Sequence, residues 1–348
     1  MVAVRFLALM TETLEPSKHT VDDDELAFIE VTAFPVKSRA PGSITIPQTA
    51  IEHIGGASPC ASASSYRSYG RQSVHALLAA HEADVQTLRK NLEQHALFDP
   101  ACHDNLWLLR FVMSHPSSKD KGAAAARATL EYRQKHSLDT DDYTTRPAVA
   151  SILARFYRHV EAGGIAYYAP DPSRGVMIVG RPMKIDFHAI ARELSVEDTA
   201  IWARVSAEWI HRYVDEVTRR TGYLTKYARV VDLRGMRLSR LSREFQRRQR
   251  ESAKELEDYY PQMLEAVCLC HPPSWIQGVW RTMRGLMPPR FVEKVDMISP
   301  TTSRSERDRL LRFCTLDALP TFLGGTCAQF PLPNARKDSP PSCGLPSQ

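Results

Sequence analysis

Three clusters in the second half of the chain have residue types and spacings that could do chemistry. Cys268-x-Cys270-His271 sets two thiols and an imidazole within four residues. Alternate residues of a strand share a face, so both thiolates would converge on one metal ion. A structural zinc site takes a second paired set of ligands, and none accompanies this one, so two buried free thiols are the reading adopted. Arg237, Arg240, Arg243, Arg247 and Arg250 recur at spacings of three and four and lay one basic stripe along a helix. Such a stripe is a solvated face balanced by Glu251, Glu255, Glu257 and Asp258. Alternatively it draws the chain to an anionic bilayer or an acidic partner, at about 1 kcal/mol per Lys or Arg near the charged surface. Trp275, Ile276, Val279, Trp280, Met283, Leu286 and Met287 form a wide apolar face on a third stretch. That spacing fits a core helix first, and also a helix that covers a ligand cavity and meets a membrane.

Catalytic signatures are missing. No Gly-x-Ser-x-Gly elbow, Walker loop, Gly-x-Gly-x-x-Gly or His-Glu-x-x-His occurs in the 348 residues, so a hydrolase, nucleotide or zinc-protease reading has no motif behind it. At 43% hydrophobic and 24% charged residues with a net charge of +5, the composition is that of a soluble globular chain. So mild a charge does not call for nucleic acid, which requires a concentrated basic face with aromatics or a known module. No run of 18 apolar residues provides a transmembrane helix. The opening MVAVRFLALM is interrupted by Arg5 and too short for a signal-peptide core. Seven scattered cysteines, an odd number, read as free thiols in a reducing compartment, so a cytoplasmic location is expected.

The elements that must position these clusters follow from periodicity and caps. Residues 1–72 read as a mostly flexible N-terminal region, with a short strand candidate at Leu26 to Phe34 and a Gly/Ser/Pro-rich linker from Gly55 to Gly70. Residues 73–138 read as a helical lobe. Val74 to Leu92 keeps helical spacing, Asp104 caps a second helix that Pro116 stops, and Lys121 to His136 forms a third with Leu130 and Tyr132 facing inward. From about 150 to 330, strands alternate with helices. The strand candidates are Val176–Val179, Arg229–Leu233, Ala266–Leu269 and Val295–Ile298. Between the first two runs a long helix with Ser195 and Asp198 as a capping box and Gly222 as its stop. Helices from about Ser239 to Asp258 and from Trp275 to Met287 fill the next two intervals. Crossovers of this length imply an α/β fold with a mostly parallel sheet flanked by helices. Residues 331–348 are Pro-rich and read as a disordered tail.

Five ordered segments carry a family resemblance. Leu108-Leu109-Arg110-Phe111 followed by Glu131-Tyr132-Arg133 resembles an N-terminal lobe that usually reads Leu-Leu-Arg-Phe-Leu and then Glu-Trp-Arg. Val231-Asp232-Leu233-Arg234-Gly235 is similar to a strand and turn ending Asp-Leu-Lys-Gly, and Asp258-Tyr259-Tyr260-Pro261 to Asp-Tyr-Tyr-Pro-Glu. His271-Pro272-Pro273 through Trp280 sits where Asn-Ala-Pro opens a gate helix, and Leu319-Pro320 with Gly324-Gly325 matches a closing Leu-Pro-x-x-x-Gly-Gly. Together these segments resemble the CRAL-TRIO lipid-binding proteins, whose best-known members are the secretory phosphatidylinositol/phosphatidylcholine transfer proteins.

The resemblance implies that the sheet's concave face and a mobile gate helix enclose one hydrophobic ligand in a lipid pocket. A phospholipid would be the bound ligand, with no cofactor, no metal, no catalysis and only transient contact with membrane. The stripe and its place between His271-Pro272-Pro273 and Pro288-Pro289 predict that Trp275, Val279, Trp280 and Met283 face the cavity. The resemblance assigns Lys294 to the head-group mouth, as a retained phosphate-binding lysine, and so keeps phosphatidylinositol in view. Departures accompany it: His115 stands at a basic position of the family, Gln262 at its glutamate and Phe291 at its threonine. Tyr227 and Arg229 replace the Ser and Thr used for phosphatidylcholine, so that site is not expected here. Arg229 would pair with an anionic head group or hold a nearby carboxylate. The alternative function is a regulatory or scaffolding module that recruits partners through residues 1–72 without lipid transfer.

Overall fold

The computed structural model describes residues 70–328, apart from 140–142, 144–145, 169–173, 241, 258, 287–291 and 301. The strand candidate at Leu26 to Phe34, the Gly55–Gly70 linker up to its last residue, the Pro288-Pro289 hinge and the Pro-rich tail lie outside these residues.

Four helices open the described chain: α1 (Val74–Ala80), α2 (Glu82–Leu92), α3 (Asn105–Ser114) and α4 (Lys119–Lys135). One helix was expected over Val74 to Leu92, and it divides at His81. Ala79, Ala80, Glu82 and Ala83 are all exposed there, so no packing resists the break. Asp104 Oδ1 accepts from Trp107 N at 3.0 Å and starts α3 as its cap. Leu77, Leu88, Leu92, Leu108, Leu109, Phe111 and Leu130 fill a core of their own between these helices.

The rest of the described chain is built on a five-stranded sheet of order β1-β2-β3-β4-β5, from Ile165–Tyr168, Val176–Gly180, Tyr227–Asp232, Leu264–Cys270 and Val295–Ile298. Strands β2 to β5 are mutually parallel; β1, which periodicity did not reveal, pairs antiparallel at the edge. Helices α5 (Pro147–Tyr157) and α6 (Phe187–Glu193) are also additions to the expected set. The long helix, α7, runs Val196–Thr221, with the Ser195/Asp198 capping box formed and Gly222 left-handed at φ 72°. Helix α8 covers Arg243–Glu257 rather than starting near Ser239, because Ser242 Oγ accepts from Phe245 N and begins the helix there. Arg237 and Arg240 therefore precede it, and only part of the basic stripe is helical. Helix α9 spans Ser274–Met283 and tightens into a 3₁₀ turn at Arg284–Leu286. Helix α10 is Arg304–Leu310.

Strand alternation separates two cores. Val176, Ile178, Tyr227, Val231, Val267 and Leu269 face one side, with α5, α7, α8 and α9. Met177, Val179, Ala228, Val230, Cys268 and Cys270 face the other, under Leu310, Phe313, Cys314 and Leu323. The fold is thus an α/β sandwich in which a helical lobe precedes a mostly parallel sheet.

Candidate functional site

Helix α9 is the crossover between β4 and β5, entered through His271-Pro272-Pro273. Ile276 is fully buried and Trp280 is 8% exposed, one turn apart. Both belong to the core on the Val267/Leu269 side of the sheet, and Trp275 and Val279 pack half-buried against it. Ser274, Gln277, Arg281 and Thr282 face outward. Burying one large apolar side chain contributes about 1.5–3 kcal/mol, so two buried anchors hold the helix by only a few kcal/mol. Trp275, Val279 and Trp280 lie on one side of the helix, packed against that core; the Met283 side chain lies outside the described residues. Ile276, on the apolar stripe but not among the residues predicted to line the cavity, is the most deeply buried. Its position four residues before Trp280 was the available signal.

Tyr227 begins β3, two residues earlier than the expected strand, and is buried on the same face. Arg229, 3% exposed, stands in register between Ile178 and Val267, both buried. A guanidinium is thereby placed among apolar residues of the sheet face that α9 flanks, where charge is costly unless compensated.

Lys294 lies in the turn before β5, and its Nζ donates to the Leu264 carbonyl at 3.1 Å. Lys226, immediately before β3, is drawn into the same region. Burial pushes its ammonium below the ordinary lysine range, and the charge of Lys294 adds to that. Sequence reasoning missed Lys226, because it comes near Lys294 only through the pairing of β3 with β4 and of β4 with β5. Gln262, left-handed at φ 59°, donates from Nε2 to Ser114 Oγ at 3.2 Å and ties the end of α3 to the start of β4. His115 follows at the cap of α3. Lys226, Gln262 and Lys294 therefore gather at the N-terminal ends of the parallel strands, whereas His271 lies at their C-terminal ends.

Most of the motif residues do other work. Arg110 donates to Asp215 at 3.2 Å, Arg133 is bidentate with Glu208, and Tyr260 Oη donates to Glu208 at 3.1 Å. Tyr132 and Tyr259 stack with ring centroids 4.0 Å apart. These contacts form a seam between the helical lobe and α7. Cys268 and Cys270 are fully buried, and burial pushes the Cys268 thiol up to about 12. His271 turns to Asp232 instead. Among the described residues no group of three or more His, Cys, Asp or Glu is arranged to hold a metal ion.

The described residues form an open, mostly parallel α/β sheet with an apolar crossover helix on one face and two lysines at the N-terminal ends of its strands. Residues 162–325 match the family model of the CRAL/TRIO domain, and the chain carries a domain of that family. The phosphatidylinositol/phosphatidylcholine transfer protein SFH9 of Arabidopsis thaliana is 21% identical over 262 residues, 71% of this chain and 41% of that protein. Protein real-time of Anopheles gambiae is 20% identical over 254 residues, 72% of this chain and 36% of its own. The chain spans less than half the length of these curated relatives. The crystal structure of Sfh5 aligns over 65% of this chain and 77% of its own, at 10% identity and a TM-score of 0.40.

Proposed function

We propose that this protein binds a single phospholipid between α9 and the apolar face of the sheet, and exchanges or presents it at membrane surfaces without catalysis. The observation that carries this reading is α9 itself. It is a crossover helix held by two buried anchors, Ile276 and Trp280, over a face that also contains Arg229. The family match and the transfer function named for SFH9 support a lipid as the ligand.

Physical chemistry then sets the mechanism. Each buried methylene gains about 0.8 kcal/mol, so an acyl chain is not released into water, and exchange has to take place against a bilayer. Helix α9 acts as the gate, moving on the His271-Pro272-Pro273 hinge while the sheet stays fixed. Trp275, Ile276, Val279 and Trp280 line the acyl side. Lys294, with Lys226 beside it, takes the head-group phosphate, and phosphatidylinositol is the first candidate. Tyr227 and Arg229 occupy the positions that would serve phosphatidylcholine. No described helix is long and apolar enough to cross a membrane, and contact with the bilayer is transient in this reading.

The test is direct. Purified full-length chain is extracted with organic solvent and the extract examined by mass spectrometry, while labelled phospholipid is offered from vesicles. Stoichiometric lipid supports the reading; a chain that carries none and takes none up refutes it.

A further inference from the structure

Helix α8 carries a polar residue at the middle of its buried side. Phe245, Gln246, Gln249 and Ser252 are its buried described residues, while Arg243, Arg247 and Glu251 face outward. The spacing puts Gln249 at the centre of that side, four residues after Phe245 and three before Ser252. Phe245 fixes where the side points. Its ring centroid lies 5.2 Å from that of Phe187 and 6.0 Å from that of Trp202, inside the core that α7, α8 and α9 share over one face of the sheet. An apolar residue is the ordinary occupant of such a position. Gln249 is 1% exposed, and neither its Nε2 nor its Oε1 has a hydrogen-bond partner. Ser252 differs, since its hydroxyl donates to the Arg248 carbonyl at 3.0 Å.

A second unpartnered donor lies on the neighbouring helix. Trp202 of α7, 1% exposed, stacks on Phe156 with ring centroids 4.4 Å apart, and its Nε1 has no acceptor. Phe245 links the two groups, because it lies beside Trp202 and one turn before Gln249. Buried polar side chains nearly always have a partner, and leaving one without costs stability. The stacked indole and the regular helix fix both side chains at their roots, so one acceptor and two donor groups are set in place on the apolar side of the sheet.

We propose that Gln249 is a specificity-determining residue that binds a hydroxyl group carried on an otherwise apolar part of the ligand, with Trp202 as a second donor. The inference rests on the reading of the helix–sheet interior as a lipid site, and it states which lipid that site prefers. Helix α8 joins β3 to β4 and α9 joins β4 to β5, so the two helices are neighbours over the sheet, and lipid held under α9 comes up against α8. Complementarity selects the hydroxyl. Oε1 of Gln249 needs a donor, whereas Nε2 and the indole N–H need acceptors. A methylene offers neither, and a carbonyl or carboxylate only accepts and leaves Oε1 facing a lone pair. A hydroxyl donates its proton to Oε1 and accepts from Nε2 or Trp202 through its oxygen. A phospholipid with a hydroxylated acyl chain and a sterol share this chemistry.

The test offers purified full-length chain two kinds of phosphatidylcholine vesicle. One contains equal amounts of phosphatidylinositol with a stearoyl and with a hydroxystearoyl chain. The other contains equal amounts of cholesterol and of cholestane, which lacks the hydroxyl. Bound lipid is extracted, and the ratio of hydroxylated to plain member is read by mass spectrometry for the wild type and for Gln249→Met, which keeps the volume and removes the amide. In at least one pair the ratio should be about tenfold higher in the wild type, the worth of about one net hydrogen bond; the pair that responds identifies the source of the hydroxyl. Without lipid, Gln249→Met should unfold at a higher urea concentration than the wild type, because it removes an unpartnered amide. A lower urea midpoint would assign the amide a buried water only and overturns the proposal. Equal ratios in wild type and variant, with lipid taken up, overturn it while leaving lipid binding intact. A chain that takes up none of the four lipids refutes the lipid reading as well.

Discussion

Arg133 grips Glu208 through two parallel hydrogen bonds, Nη1 to Oε2 at 2.9 Å and Nη2 to Oε1 at 3.0 Å, across the seam between helical lobe and α7. Glu208 is fully buried and also accepts from Arg212 Nε at 2.7 Å. Removing one partner from such a pair strands a buried charge, at a cost of about 3–5 kcal/mol. Arg133→Met should therefore lower stability by that amount in urea unfolding, and Arg133→Met with Glu208→Met should recover part of the loss. A single variant as stable as the wild type would show that the seam does not hold the lobe.

Acid should act on the same seam. Burial pushes the Glu208 carboxyl up, but the guanidiniums of Arg133 and Arg212 outweigh it and hold the group far below its ordinary value of 4.5. Its stabilising contribution is present above that value and is lost as pH falls toward the folded-state value. His211, one turn along α7, contributes over a higher range. Burial lowers its imidazole from 6.5 to about 4, with Glu208 and Asp215 pulling the other way. Between those values the unfolded chain binds the extra proton, so stability falls as pH falls, by at most about 3 kcal/mol. Urea midpoints measured against pH should show this slope, and His211→Gln should flatten it.

Trp280→Glu puts a carboxylate on the buried side of α9. Burying an unpaired polar group costs about 2–7 kcal/mol, so lipid loading should drop at least about tenfold while far-UV circular dichroism retains the sheet. Loss of the whole cooperative transition would instead mark Trp280 as ordinary core.

Lys294→Ala should weaken phosphoinositide uptake from mixed vesicles more than uptake of other lipids, because it removes an ammonium from the strand ends that also hold Lys226. Unchanged selectivity would take the inositol phosphate out of the proposed ligand.

Gly325→Ala tests the closing turn. A Cβ at Gly325 would stand 1.9 Å from the Leu319 carbonyl oxygen, inside any allowed contact. The Leu319–Gly325 turn would have to open, and Leu319 and Leu323, both fully buried beneath the sheet, would move with it. A loss of about 3 kcal/mol is expected in thermal or urea unfolding.

What the sequence determined by itself was local. Asp104, Ser195 with Asp198, and Gly222 act within four residues of the helix ends they mark, so capping chemistry alone placed those ends. Strand β5 matches its expected bounds, and the apolar stripe identified the buried side of α9. The five motifs pointed to the family, yet gave no sign that Arg110, Arg133 and Tyr260 serve a seam with α7. Only the tertiary structure decided matters that need distant partners. Strand β1 depends on antiparallel pairing with β2, and His81 breaks a helix because nothing packs over the exposed residues around it. Lys226 meets Lys294 at one end of the strands, and Arg234 meets His271 and Phe322 at the other, because folding brings together residues far apart in sequence. A side chain's spacing specifies the face it shares with its neighbours. What lies opposite that face is settled by packing and register, and neither is encoded within a single turn or strand.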